Sequence, residues 1–224
     1  YTTKDGMPDN RSRSLLVDGN DVWIGLRDGR VCRYQRDANT WETHIAAKKD
    51  LANKWHHTRF AVTSRYVWIP AQYDGVLRYD KKNNSWKRYT TADGLATGVG
   101  YIVADDDDVW AYGWEMCQYD PKTDRWVIID SKRGLAETGV RELIPGMDYL
   151  WVLYQYSRNW DEDPASVPAS GFHRKNRTWQ VFRGHPETVG NNFRGVQETA
   201  GAVWFGTREH GVSRYDKASS SWTV

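Results

Sequence analysis

Short runs in which apolar and polar residues alternate return along this chain with a fixed spacing. RSLLVD, DVWIGL, RVCRYQ and WETHI near the start are matched by RGVQET, AVWFGT, GVSRYD and WTV near the end. Such alternation, interrupted by DGN, RDG and RDANT or by TAG, REHG and KASSS, predicts β-strands joined by tight antiparallel turns. Ten of the 13 tryptophans fall at two places in the repeat. One series is Trp23, Trp68, Trp110, Trp151 and Trp204, each after Val or Leu; the other is Trp41, Trp86, Trp126, Trp179 and Trp222. Five copies of a four-strand unit with a period of roughly 40 to 50 residues define a propeller-like array.

The repeat runs on across the chain ends. WKRYTTADGL from Trp86 has its counterpart in WTV followed by YTTKDGM when Val224 is joined to Tyr1. The expected fold is therefore all-β: a five-bladed β-propeller with four antiparallel strands per blade, closed by juxtaposed N- and C-termini, which leaves no open sheet edge. The chain is read as a single domain over 1–224. Its blades lie at about 11–45, 58–91, 99–130, 140–183 and 193–224, with 1–10 continuing the last. A Trp recurring at one strand position fills the wedge between neighbouring sheets, and the Tyr34, Tyr79, Phe172, Tyr119 and Tyr215 series packs there too.

Composition narrows the function classes. Over 224 residues the net charge is +2 with both signs interspersed, so no basic stripe favours nucleic acid. No run of about 18 apolar residues marks a membrane span. The first residue is Tyr rather than Met, which reads as a processed or excerpted chain. Cys32 and Cys117 occupy one slot in non-neighbouring copies and are expected to be semi-buried free thiols.

The segments RYTTADGL, DVWIGL and VLRYDKKNNSW, repeated with drift, resemble the two-component regulator propeller repeat found in the sensor portions of bacterial signalling proteins. What the resemblance implies is a propeller used for extracytoplasmic recognition, periplasmic or secreted, often of carbohydrate-derived signals.

Departures from the repeat mark candidate chemistry. A four-strand meander places the turns between strands two and three on the same face as the links between blades. Three tryptophans are off register: Trp55 in a link, Trp114 and Trp160 in two-to-three turns. From the first-series Trp to the Tyr or Phe slot the spacing is 11 residues in three copies, 9 in the third and 21 in the fourth. The gained segment carries Trp160, Asp161, Glu162 and Asp163 followed by Pro164 and Pro168, which suits a rim wall. With His57, Arg59, Tyr73, Asp74, Glu115, Arg194, Arg208, Glu209 and His210 on that face, the expectation is a ligand site: aromatic platforms beside groups that chelate hydroxyls suit a glycan or other small polar ligand.

Other chemistry has less support. GxSxG, HExxH, P-loop and CxxC motifs are missing, so no cofactor, metal or catalytic set is expected. His56 and His57 sit side by side and point opposite ways on a strand, and Asp105 to Asp108 reads as a solvated turn. A carbohydrate-active enzyme, either a glycoside hydrolase or a polysaccharide lyase, is the first alternative; it would draw on Asp74, Glu115, Asp161, Glu162, Glu209 or His210. A protein-interaction scaffold is the second.

Overall fold

The computed structural model describes residues 1–45, 59–71, 74–154, 168–184, 193–208 and 211–223. Twenty strands form five separate four-stranded antiparallel sheets, each a meander in chain order. The first sheet is β1 (Ser12–Asp18), β2 (Asp21–Leu26), β3 (Arg30–Gln35) and β4 (Thr40–Ile45). The second is β5 (Ala61–Val62), β6 (Tyr66–Pro70), β7 (Val76–Asp80) and β8 (Ser85–Tyr89), and the third β9 (Tyr101–Asp105), β10 (Asp108–Tyr112), β11 (Met116–Asp120) and β12 (Arg125–Ile129). The fourth is β13 (Val140–Pro145), β14 (Tyr149–Tyr154), β15 (Ala169–His173) and β16 (Thr178–Phe182). The fifth is β17 (Phe193–Glu198), β18 (Ala202–Thr207), β19 (Val212–Asp216) and β20 (Ser221–Thr223). These are the five blades of an all-β propeller fold. They fall into two compact units, Tyr1–Ile128 with the first three sheets and Ile129–Val224 with the last two.

Within the first unit the registered aromatics join sheet to sheet. Trp23 is fully buried, with its ring 4.9 Å from Tyr79 and 5.9 Å from Trp86 of the next blade. Trp68 repeats this at 4.8 Å from Tyr119 and 5.7 Å from Trp126. Burial of such large apolar surfaces contributes on the order of 2 to 3 kcal/mol per ring. In the second unit Trp151 packs on Phe182 and Phe205, and its indole N–H donates to Glu198 at 3.1 Å. Trp204 differs from the rest of its series: it is 41% exposed, with the Arg214 guanidinium 5.7 Å from its ring centroid.

A polar clamp accompanies the aromatic one. The third strand turns into the fourth through a residue at positive φ in every blade: Asn39, Asn84, Asp124, Arg177 and Ser220. Asn and Asp tolerate this conformation, and their side chains are used. Tyr34 and Tyr79 donate to Asn39 and Asn84 at 2.9 and 2.7 Å, and Tyr119 donates to Asp124 at 2.6 Å. Arg33 reaches across to Tyr79 and Arg78 to Tyr119, at 2.9 and 2.6 Å. Asp124 also holds Arg78, Lys87 and Tyr89. Burial pulls its carboxyl upward, but the bonds from Lys87, Tyr119 and Tyr89 and the charge of Arg78 outweigh that and hold it well below the usual carboxylate range.

The sequence repeats at the described links because they pack on the blades they enter. Thr2 and Thr90 cap one turn of 3-10 helix, paired with Asp5 and Asp93, and Gly6 and Gly94 close it in the left-handed conformation. A Cβ on Gly94 would stand 2.2 Å from the Trp126 carbonyl oxygen, and one on Gly6 would stand 2.8 Å from the Trp41 indole. Tyr1 correspondingly packs against Tyr34 and edge-on against Trp41, as Tyr89 packs edge-on against Tyr119 and Trp126.

Candidate ligand-binding site

Strand direction sorts the loops of the first unit into two sets. The β2–β3, β6–β7 and β10–β11 turns share a face with the links, while the run Asp105 to Asp108 forms the β9–β10 turn at the other end. On the link face the β10–β11 turn is Gly113-Trp114-Glu115. Trp114 is 68% exposed, against full burial of Trp23, Trp68 and Trp110. The turn is this short because the link lies hard against it: a Cβ on Gly113 would meet the Gly98 carbonyl oxygen at 2.5 Å, and the Gly100 N–H donates to the Tyr112 carbonyl at 3.1 Å. Tyr112 in turn stacks on Tyr101, with centroids 5.1 Å apart and planes inclined by 20°.

Beside this turn lies a cavity of about 120 Å³ lined by Gly75, Thr90, Thr91, Leu95, Ala96, Thr97 and Gly98. Its wall depends on Gly75, at φ +91°, where a Cβ would fall 1.9 Å from the Tyr89 carbonyl oxygen. Beneath it the Ala96 N–H donates to the Cys117 Sγ at 3.1 Å. Burial pushes the Cys117 thiol up to about 12, so this sulfur is a buried acceptor and not a nucleophile. Both cysteines are buried and free.

The expected site residues divide as follows. Trp114 and Glu115 are exposed together in the β10–β11 turn. Asp74 sits in the β6–β7 turn, where Arg88 donates to its carbonyl at 2.9 Å and approaches its carboxylate at 4.0 Å. Arg59 is exposed and forms a parallel bridge with Tyr101, which brings it to the Tyr101–Tyr112 stack. In the second unit Arg194 at the start of β17 and Arg208 after β18 are both exposed. Trp55, His57, Tyr73, Trp160, Asp161, Glu209 and His210 lie outside the described residues. So do His56 and Glu162.

Three contributions escaped the sequence reading. Thr90, Thr91 and Thr97 belong to a link read as repeat scaffold. The Tyr101–Tyr112 stack joins residues whose neighbours are ordinary strand positions. Arg141 of β13, which donates from Nη2 to the Arg194 carbonyl at 2.8 Å, carried no motif.

No family model matches the chain, and neither does any curated protein. Solved structures share its fold. The extracellular domain of BT4673 of B. thetaiotaomicron, assigned to a one-component system, aligns with a TM-score of 0.58 and 16% identity over 97% of this chain. The extracellular domain of BT3049 of the same organism, assigned to a hybrid two-component system, aligns at 0.60 and 14% over the whole chain. U3-55K aligns at 0.57 and 11% over 94%. The chain spans 30% and 31% of the BT4673 and BT3049 chains and 62% of U3-55K. The propeller fold that the repeat resemblance implied is thus the one found. No helix among the described residues is long and apolar enough to cross a membrane.

Proposed function

We propose that this chain is a non-enzymatic recognition propeller of the sensor type, acting outside the cytoplasm and binding a glycan or similar small polar ligand on its link face. The observation that carries this reading is Trp114, a tryptophan outside the repeat that is exposed in a turn whose Gly113 packs on Gly98, one of the residues lining the cavity with Thr90, Thr91 and Thr97. An indole face covers the C–H surface of a sugar ring, and hydroxyl, amide and carboxylate groups such as those of Thr97 and Glu115 take its hydroxyls. Arg59 supplies an exposed charged group on the same face of the first unit, bridged to the half-buried Tyr101, which the buried Tyr112 backs. The shared fold with extracellular domains assigned to one-component and hybrid two-component systems agrees with a sensing role and an extracytoplasmic location. The test is a neutral oligosaccharide panel titrated against the protein by intrinsic fluorescence and calorimetry. A saturable ligand that Trp114→Ala weakens at least about tenfold, roughly 1.4 kcal/mol, is the expected result. A panel without a binder, or an affinity untouched by that substitution, removes the reading.

A further inference from the structure

The first strands of three blades carry a register break at their link-face end. Ser12 and Ser14 of β1 pair with Leu26 and Gly25, so Arg13 is the extra residue. Val140 and Glu142 of β13 pair with Tyr154 and Leu153, and Phe193 and Gly195 of β17 with Thr207 and Gly206, which makes Arg141 and Arg194 the extra residues there. A β-bulge takes its residue out of the ladder and re-aims its side chain, and such bulges gather next to binding sites. That all three bulged residues are arginine is not required by the ladder, which is indifferent to the side chain.

In the second unit two of these arginines meet. Arg141 is half-buried and donates from Nη2 to the carbonyl of the bulged Arg194 at 2.8 Å, while Arg194 is itself exposed. This uses one of the five N–H donors of Arg141. Neither guanidinium has an ion-pair partner among the described residues. Burial and then the Arg194 charge draw the Arg141 pKa down, with Glu142 only a weaker opposing influence. Two like charges that repel each other, one of them partly desolvated and without an ion pair among the described residues, are stabilised when an anion bridges them.

We propose that Arg141 and Arg194 form an anion clamp on the link face that takes the carboxylate or sulfate of an acidic saccharide. The planar guanidinium fork suits either oxyanion, and Arg208, exposed after β18 on the same face of this unit, extends the positive rim. This deepens the proposed function and rests on it for the saccharide part of the ligand.

The test uses the whole chain, ¹⁵N-labelled, and follows the Arg Nε–H resonances, assigned through Arg141→Gln and Arg194→Gln. The titrants are inorganic sulfate, glucuronate and, as neutral control, glucose. Saturable shifts at the two arginines with glucuronate or sulfate, none with glucose, and at least about tenfold weaker binding in Arg194→Gln are expected, the loss of one charge-assisted contact. A response to both anions assigns the clamp to the shared oxyanion chemistry; a response to one alone assigns it to that group. Non-saturating shifts, or affinity unchanged in Arg194→Gln, overturn the proposal. Because Arg141 is half-buried, Arg194→Gln on the exposed partner decides if the other variant fails to fold. Neutral saccharide binding lost in Trp114→Ala but intact in Arg194→Gln, without anion shifts, would sink the clamp and leave the recognition face standing. Anion binding without any saccharide binder would do the reverse.

Discussion

In the third strands of the first, third and fourth blades one position faces the incoming link: Cys32, Cys117 and Ser170, paired with Ile24, Ala111 and Val152. What stands there answers the link. The Ala96 N–H donates to the Cys117 Sγ, and the Ala136 N–H donates to the Ser170 Oγ and the Tyr154 hydroxyl, both at 3.0 Å. Pro8 holds the corresponding link position above Cys32, and proline has no N–H to offer. Cys117→Ser should therefore be nearly neutral in thermal unfolding. Cys117→Val, which strands the Ala96 N–H, should cost about 1 to 3 kcal/mol. Equal effects from the two substitutions would show that volume, not the acceptor, matters. Asp124 gives a second expectation. Its folded-state pKa is depressed, so its contribution to stability is present above the unfolded carboxylate value of about 3.9 and is lost as pH falls below it. Asp124→Asn should lower the melting temperature at pH 7, and the gap to the wild type should narrow as the pH is taken toward 3. A gap independent of pH would remove the charge from the account.

Links and turns behave as built elements with little tolerance. Gly75 and Gly94 each combine positive φ with a backbone oxygen where a Cβ would go, at 1.9 and 2.2 Å. Gly94→Ala should destabilise by about 1 to 3 kcal/mol, read from denaturant midpoints. A neutral result would mean that the link lifts off Trp126 at little cost. Strands were legible because their alternation and their punctuating turns are local signals, as in DVWIGL and RDG. The bulges at Arg13, Arg141 and Arg194 were not, because a register break depends on which residue of the partner strand is opposite. The cavity residues Thr90 and Thr91 were hidden for another reason: they recur with the repeat, and recurrence reads as scaffold.

Across the molecule, the tryptophan register carried the blade count and the packing partners, since a bulky residue returning at one strand position has to be received by the next sheet. Trp204 shows where that reasoning stops, for nothing in AVWFGT distinguishes its 41% exposure from the full burial of Trp23. Trp114 was legible as an outlier. The loops that hold Trp55 and Trp160 lie outside the described residues. With Trp114 at 68% and Trp204 at 41% exposed, acrylamide should quench a readily accessible part of the emission, and Trp114→Phe should shrink that part. Unchanged quenching would place the indole under cover. The fold is shared with U3-55K as well as with the extracellular domains of BT4673 and BT3049, so the fold by itself does not assign the function.

The match between link and third-strand slot bears on how such a chain can grow. A duplication that copied only the four strands of a sheet would place Ser or Cys beneath a foreign link, with an N–H too many or an acceptor too few. A unit cut from the start of a link to the end of the sheet it enters keeps the Ala96 donor with Cys117 and the Ala136 donor with Ser170. A graft cut at the strand ends would separate both pairs.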